Sequence, residues 1–198
     1  MKEFWNERYS QEEMIYGTEP NAFFRTQLSA LKPGRLLLPA EGEGRNAVHA
    51  ALKGWEVIAF DYSDAGKAKA KHLAAQRGVT INYQVAEAQN FETAPESLDA
   101  AALIFAHFPP AVRRDFHHKI VNWLKPGATL ILEAFHPNQL AYTSGGPREE
   151  AMLYTGDMLR ADFAALDLKL LEEVEITLNE GTYHRGAGFV TRLAAVKP

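Results

Sequence analysis

The sequence predicts an α/β fold, in which seven strands form a mostly parallel sheet with helices on both faces and an antiparallel hairpin at its C-terminal edge. Five short apolar runs alternate with helix-like segments between residues 35 and 135, a pattern typical of successive strand–helix units. The run at 98–105 is apolar almost throughout, as expected of a parallel strand buried on both faces. Two alternating runs, 168–178 and 186–196, predict the hairpin.

Turn and capping residues divide the first half of the chain into elements. A helical segment at 3–9 precedes a helix over 21–31, which Pro20 opens and which we expect to lie across the sheet as a lid. Ser63 is the predicted N-cap of a later helix. The remaining predicted elements of this half are strands at 35–38, 55–60 and 80–85 and helices at 45–53 and 64–76.

The second half contains one more strand–helix–strand unit and a long loop. A helix follows the fourth strand, and Lys125-Pro126-Gly127 ends it before a fifth strand at 128–135. Residues 136–156 show no periodicity, and loops of this length usually carry function or are disordered. Thr155 caps a short predicted helix over 157–166. One face of the longer helix carries Val112, Phe116, Ile120 and Trp123.

Composition limits the class of protein. The 198 residues fit a single domain with its own apolar core. The chain has no cysteine, which excludes disulfides, thiolate metal sites and a cysteine nucleophile. The first residues are charged, and the longest apolar run, 100–106, is too short to span a bilayer, so we expect a soluble cytoplasmic protein with no membrane partner. With a net charge of −4 and no basic stripe, we expect no nucleic-acid partner.

A glycine-containing turn follows the first strand and predicts a ligand site. Gly42 and Gly44 can adopt positive φ and let backbone N–H groups approach a ligand, and the next helix adds its positive N-terminus. Asp61 ends the second strand, where a carboxylate can accept hydrogen bonds from a ribose. The alternative is that Asp61 caps a helix, but Ser63 already occupies that position.

Several motifs make the chain resemble the class I S-adenosylmethionine-dependent methyltransferases. The Leu124-Lys125-Pro126-Gly127 turn before the fifth strand is part of the match. More narrowly, the sequence resembles the tellurite-resistance branch of that family. The matching segments are Phe4-Trp5-Asn6-Glu7-Arg8-Tyr9, Tyr16-Gly17-Thr18-Glu19-Pro20, Glu41-Gly42-Glu43-Gly44-Arg45-Asn46, His107-Phe108-Pro109-Pro110 and Glu180-Gly181-Thr182-Tyr183-His184-Arg185.

The resemblance implies a Rossmann-like fold, S-adenosylmethionine as cofactor and a set of contacts to it. The backbone from Ala40 to Gly44 would hold the methionine part, Asp61 the ribose, and Glu87 with Ala88 the adenine. As the alternative, Glu87 is an exposed acid in a loop. One domain would cover 1–198, with a lid segment at 1–31, a cofactor-binding core at 35–135 and a substrate-side part at 136–198.

Two positions depart from the family pattern. Leu38 stands where the family usually has an acid, and Ala40 stands where it has a first glycine. Leu38 cannot accept a hydrogen bond, and Ala40 restricts the turn. Glu41 lies inside the turn and is predicted to replace the missing acid opposite the cofactor's positive charge. Alternatively, the two changes mark a protein that binds the cofactor weakly or not at all.

The catalytic candidates lie after strands and in the hairpin loop. His107 follows the fourth strand and His136 the fifth, each with the alternative of a structural or plain loop residue. Tyr183, His184 and Arg185 combine groups that suit an oxyanion or carboxylate, unless they form a solvated hairpin tip. We therefore predict methyl transfer to a small, soft anionic acceptor, such as a thiol or a tellurite- or selenite-type oxyanion.

Other classes of protein fit less well. No histidine and carboxylate spacing predicts a metal site, and no Gly-x-Ser-x-Gly elbow of a hydrolase is present. A nicotinamide-dependent oxidoreductase would need a third glycine where Ala47 stands. A non-catalytic S-adenosylmethionine-binding protein remains the main alternative. The sequence makes no prediction of the oligomeric state.

Overall fold

A computed structural model describes residues 2–11 and 13–198 and confirms the predicted fold class. Its seven strands form one sheet in the order β3-β2-β1-β4-β5-β7-β6. The strands are β1 Arg35–Pro39, β2 Glu56–Asp61, β3 Asn82–Val85, β4 Leu98–Ile104, β5 Leu124–Phe135, β6 Asp167–Glu180 and β7 His184–Val196. The α-helices are α1 Lys2–Tyr9, α2 Ala22–Ser29, α3 Arg45–Leu52, α4 Asp64–Gln76, α5 Pro110–Trp123 and α6 Gly156–Asp162, and two short 3₁₀ helices occupy Pro137–Ala141 and Glu150–Met152.

The direction of the strands determines where a ligand can enter. β1 pairs in parallel with β2 on one side and with β4 on the other, whereas β7 pairs antiparallel with both β5 and β6. Strands β2 and β3 are therefore added on one side of β1 and β4 on the other, so the strand order reverses between β1 and β4. In open α/β sheets, the crevice beyond the carboxyl ends of the strands at such a reversal is the usual ligand site.

Helices cover the sheet on both faces because the strand side chains alternate. Leu36 and Leu38 of β1 pack in one apolar layer with α2, α3 and α4, while Leu37 packs in the other layer with α5 and α6. All three side chains are fully buried. Since successive residues of a strand point to opposite faces, one strand contributes to both layers and fixes the helices relative to the crevice.

The N-terminal helices differ from the prediction in their roles. Asn21, not Pro20, precedes α2, and its side chain accepts from the backbone N–H of Phe24. Phe24 and Leu28 of α2 pack in the apolar layer over β1. The helix that lines the crevice is α1. Thus α2 belongs to the core of the sheet, and the predicted lid at 21–31 corresponds to a packed helix.

Four boundaries in the second half are also corrected. β5 begins at Leu124 instead of residue 128, because Leu124 pairs with Leu98 ahead of a register shift. α6 ends at Asp162, four residues before the predicted end. β6 and β7 extend to Glu180 and His184, so the hairpin turn is shorter than predicted. Within residues 2–11 and 13–198, no helix is long and apolar enough to cross a membrane.

Candidate active site

A cavity of about 440 Å³ lies beyond the carboxyl ends of β1, β2 and β4. The size falls in the usual range for small-molecule sites. Its walls come from α1, the turn after β1, the segment after β4 and the long loop after β5. The lining residues used below are Trp5, Arg8, Tyr9, Ala40, Glu41, Gly42, Asp61, Tyr62, Phe105, His107, Phe135, Arg148, Met152 and His184.

The turn after β1 needs glycine at two positions. Gly42 has φ of 58°, and a Cβ there would lie 2.5 Å from the hydroxyl oxygen of Tyr9. Gly44 has φ of 84°, and a Cβ there would lie 2.5 Å from the Cβ of Ala70. The hydroxyl of Tyr83 donates to the carbonyl of Gly42 at 2.6 Å. Close packing from α1 and α4 therefore depends on these glycines and leaves the backbone of the turn open to the cavity.

Ala40 also has positive φ, 50°, in the same turn. A Cβ makes this conformation unfavourable by roughly 1–2 kcal/mol, so we expect Ala40→Gly to raise the free energy of unfolding by about 1 kcal/mol despite the greater freedom of glycine in the unfolded chain. Urea unfolding measures the change. Ala30→Gly is the matched control, since Ala30 has φ of −85° at the end of α2. An equal loss of stability in both variants would contradict strain at Ala40.

Glu41 caps the helix that follows the turn. Gly44 offers no side chain to the N-terminus of α3, and the Glu41 carboxylate accepts from the backbone N–H of Ala47 at 2.7 Å. Burial raises the pKa of Glu41 to about 7, although this hydrogen bond and Arg45 favour the ionised form. Leu38 packs in the apolar layer instead of facing the cavity. An acid introduced at position 38 would therefore be buried among apolar side chains, whereas Glu41 lines the cavity.

Asp61 lies at the end of β2 and holds the turn after β1 by hydrogen bonds. Its carboxylate accepts from the backbone N–H groups of Gly42 at 3.2 Å and of Ser63 at 2.9 Å. Ser63 caps α4, as predicted, by accepting from the N–H of Gly66. Burial raises the pKa of Asp61 to about 6. Because an ionised carboxylate has about four acceptor positions, Asp61 retains capacity for a ligand in the cavity.

Arginine and histidine side chains also line the cavity. His184 lines this cavity and also a second one of about 190 Å³. Arg185 lines only the second, together with Arg8, Tyr16 and Tyr183. Arg8 donates to the hydroxyl of Tyr16 at 3.2 Å and lies 4.5 Å over the ring of Tyr183. Within the described chain, Arg8 and Arg185 form no ion pair, so both positive charges remain available to an anion.

His107 is hydrogen-bonded within the wall of the cavity. Its Nδ1 lies 2.6 Å from the carbonyl oxygen of Met152, and its Nε2 lies 3.2 Å from the backbone nitrogen of Phe135. Nδ1–H therefore donates and Nε2 accepts, and burial lowers the pKa of His107 to about 4. Both nitrogens are engaged, which argues against the predicted catalytic role. His136 accepts from the N–H of Asn138 and caps the first 3₁₀ helix.

Comparison with known proteins finds one match to a family. Residues 39–127 match the family model described as a methyltransferase domain. This segment contains the turn, Asp61 and His107. The whole chain also shares its fold with solved structures, one of which is an S-adenosylmethionine-dependent methyltransferase.

Solved structures with the same fold cover nearly the whole chain. A structure from work on the conversion of a disulfide bond into a thioacetal group during echinomycin biosynthesis has a TM-score of 0.78 and 19% identity, over 100% of this chain and 91% of that one. TehB from Haemophilus influenzae has a TM-score of 0.75 and 13% identity, over 100% of this chain and 67% of that one. An S-adenosylmethionine-dependent methyltransferase from Methanosarcina mazei has a TM-score of 0.68 and 18% identity, over 90% of this chain and 98% of that one. No curated protein sequence matches the chain.

The predicted site residues fall into two groups. Those that line a cavity are Ala40, Glu41, Gly42, Asp61, His107, His184 and Arg185. Gly44 supports the turn from behind. Glu87 is exposed and bonds to Gln89 and Asn90, and Ala88 is buried in the core, so neither lines the cavity.

Sequence reasoning missed several residues that line the cavity. Trp5, Arg8 and Tyr9 come from α1, and Tyr62 directly follows Asp61. The signal for the first three was present, because Trp5, Arg8 and Tyr9 lie close together on one short helix. That helix could be placed over the cavity only by its packing on α4.

Proposed function

We propose that this protein is a class I S-adenosylmethionine-dependent methyltransferase that transfers a methyl group to a small, soft acceptor, a thiol or a tellurite- or selenite-type oxyanion. The observation that carries the proposal is the different charge of two neighbouring cavities that share His184. Two carboxylates, Glu41 and Asp61, line the larger cavity at the turn, whereas Arg185 lines the smaller one and Arg8 lines both. A cationic cofactor fits the larger cavity, and an anionic acceptor fits the smaller one.

The residues at the turn fit the cofactor. Gly42 has a positive φ and no side chain, so the backbone of the turn can approach a ligand closely. We assign the methionine part to the backbone of Ala40 to Gly44 and to Glu41, and the ribose to Asp61. The aromatic rings of Trp5 and Tyr62 replace Glu87 and Ala88 as the proposed neighbours of the adenine.

Methyl transfer requires the protein mainly to position the acceptor and the cofactor. When bound, S-adenosylmethionine supplies an electrophilic methyl group on a sulfonium sulfur. The methyltransferase has to align a nucleophile with that carbon, which can contribute about 7–11 kcal/mol, and to exclude water. Phe105, Phe135 and Met152 line the cavity with apolar side chains, which helps to exclude water. Arg185 and Arg8 hold an anionic acceptor in the same proposal.

The type of acceptor has independent support. The structure with the TM-score of 0.78 comes from work on a reaction at sulfur, the conversion of a disulfide into a thioacetal. A soft sulfur nucleophile needs less help from a base than an alcohol, since a thiol of pKa about 8.5 is a few per cent ionised at pH 7. The cavity of about 440 Å³ favours a small acceptor over a polymer.

A radiolabelled methyl-transfer assay tests the proposed function. The panel contains small thiols, selenite and tellurite, together with DNA, RNA and protein. We expect label on at least one small soft acceptor. Label only on a polymer, or on none of the panel, would overturn the proposed acceptor class. Calorimetry with S-adenosylmethionine and with NAD tests the cofactor separately, with binding expected only for the first.

The pH dependence of cofactor binding tests Glu41. Since burial raises the pKa of Glu41 to about 7, the carboxyl is largely neutral below that pH and ionised above it. A cationic cofactor favours the ionised form, so affinity should rise as the pH increases through about 7, and binding should release protons. Calorimetry in buffers with different ionisation enthalpies measures this release.

Glu41→Gln provides the comparison, because its side-chain oxygen can still accept from the N–H of Ala47. We expect weaker binding and loss of most of the pH dependence near 7. The pKa of Asp61, raised by burial to about 6, leaves a smaller dependence at lower pH. Affinity that is unchanged in Glu41→Gln at every pH would show that Glu41 only caps α3.

A further inference from the structure

Glu180 is the centre of a buried polar network that includes His184. Its Oε2 accepts from Nη2 of Arg45 at 2.7 Å, and its Oε1 accepts from Nδ2 of Asn21 at 2.9 Å. Nδ1 of His184 lies 3.4 Å from the same Oε2. Burial opposes ionisation, but the hydrogen bond from His184 and the charge of Arg45 outweigh it and lower the pKa of Glu180 to about 2. Glu180 is therefore a fixed negative charge on one side of the histidine ring.

His184 is held in one orientation by aromatic rings. The ring centroids of Tyr16 and Phe105 each lie 4.6 Å from that of His184, and the ring of Phe135 lies edge-on at 5.4 Å. Only the Nδ1 edge of His184 meets a hydrogen-bond partner among the described residues. The Nε2 edge has none, and His184 lines the cavity.

An ionised carboxylate at Nδ1 selects the tautomer. Nδ1 carries the proton and donates it toward Glu180, so Nε2 keeps a free lone pair. Burial lowers the pKa of His184, partly offset by Glu180, so the ring is neutral at pH 7. The other charged or titratable groups around the ring are Arg45 from α3, Arg8 from α1, Tyr16 and His107.

We propose that Glu180 is a positioning residue that orients His184 as a proton acceptor, and that the acceptor of the methyl group is consequently a protonated thiol. This inference rests on the proposed function and selects one of its two acceptor types. A thiol arrives mostly protonated at neutral pH and gains from a base. A tellurite- or selenite-type oxyanion already carries negative charge and gains little.

The proton and electron pairs balance as follows. The thiol proton moves to Nε2 of His184, and the S–H electron pair stays on the acceptor sulfur. That sulfur forms a bond to the methyl carbon while the bond from this carbon to the sulfonium breaks, with its electron pair remaining on the cofactor sulfur. His184 then releases the proton to water. The products are a methyl thioether and the neutral demethylated cofactor.

The first experiment needs neither cofactor nor acceptor. Nitrogen-15 NMR of the His184 ring in the full chain distinguishes the two neutral tautomers. We expect a proton on Nδ1 and a free Nε2. A proton on Nε2 would overturn the proposal, whatever the activity of the enzyme.

The second experiment compares Glu180→Gln with Glu172→Gln, a control that removes an exposed acid from the same strand. With a thiol acceptor, Glu180→Gln should lower kcat about tenfold with little change in KM, because the ring becomes a weaker and less well-oriented base. Since Glu180 raises the pKa of His184, the acidic limb of the pH profile should move to lower pH. Glu172→Gln should match the wild type.

The two proposals fail in different ways. Transfer to oxyanions but not to thiols would overturn the role of Glu180 and leave the proposed function intact. An unchanged pH profile in Glu180→Gln would assign Glu180 a structural role only and overturn the inference. If no acceptor is methylated, the proposed function fails, and the tautomer of His184 still decides whether Glu180 orients the ring. If Glu180→Gln does not fold, the same NMR measurement on the wild type decides.

Discussion

Asp61→Ala is expected to weaken binding of S-adenosylmethionine about 10- to 150-fold, the equivalent of about 1.5–3 kcal/mol for charge-assisted hydrogen bonds. The carboxylate lies at the end of β2, lines the cavity and keeps free acceptor positions beside the two N–H groups that it holds. Because the ribose occurs in the cofactor and in its demethylated product, the affinity for both should fall equally. Isothermal calorimetry with each compound measures the effect.

Two variants separate the ribose contact from support of the turn. Asp61→Asn keeps an oxygen that can accept from Gly42 or Ser63 but removes the charge, so it should weaken binding less than alanine does. Asp64→Ala removes an exposed acid three positions further on, whose salt bridge to Lys2 lies at the surface, and should leave affinity unchanged. Wild-type affinity in Asp61→Ala would refute the assignment of the ribose.

Arg185→Ala should reduce kcat/KM for an anionic acceptor by about 2–3 kcal/mol of barrier, with cofactor affinity nearly unchanged. Arg185 lines the smaller cavity and forms no ion pair among the described residues, so its charge is available to the acceptor. Steady-state kinetics with the preferred acceptor and calorimetry with S-adenosylmethionine measure the two quantities.

The control for this variant is Arg114→Ala, which removes an exposed arginine from α5 on a face of the sheet away from the cavity. It should retain full activity. Equal activity of Arg185→Ala and the wild type would exclude a contact with the acceptor. A matching loss of cofactor affinity would instead place Arg185 in the support of the cofactor site.

The sequence predicts well the features that local patterns determine. Apolar runs located the strands, and Ser63 and Thr155 were identified as caps because N-cap chemistry depends on a few neighbouring residues. Asp61 reaches the cavity because its position at the end of a parallel strand follows from the fold class alone. Gly42 was also identified from the sequence. This position requires glycine because its φ is positive and because a Cβ there would clash with Tyr9.

Features that depend on distant contacts were not predictable. α1 and α2 have similar lengths and aromatic content, and only packing places α1 at the cavity and α2 in the core. His107 looked like a candidate base, but a carbonyl group 45 residues away occupies its Nδ1. The predicted adenine contact at Glu87 depends on distant packing too, and Glu87 is not among the residues that line the cavity.

The hydrogen bonds around Glu180 differ from those of the turn in how far apart the bonded residues lie along the chain. On the cofactor side, the bond between Glu41 and Ala47 joins residues six apart, and that between Asp61 and Gly42 joins residues 19 apart. The bonds of Glu180 to Arg45 and to Asn21 span 135 and 159 residues. Contacts between distant residues require closure of long loops before they add stability. The turn can therefore form early with the first strand–helix unit, whereas His184 acquires its fixed orientation only when the last hairpin has joined the sheet.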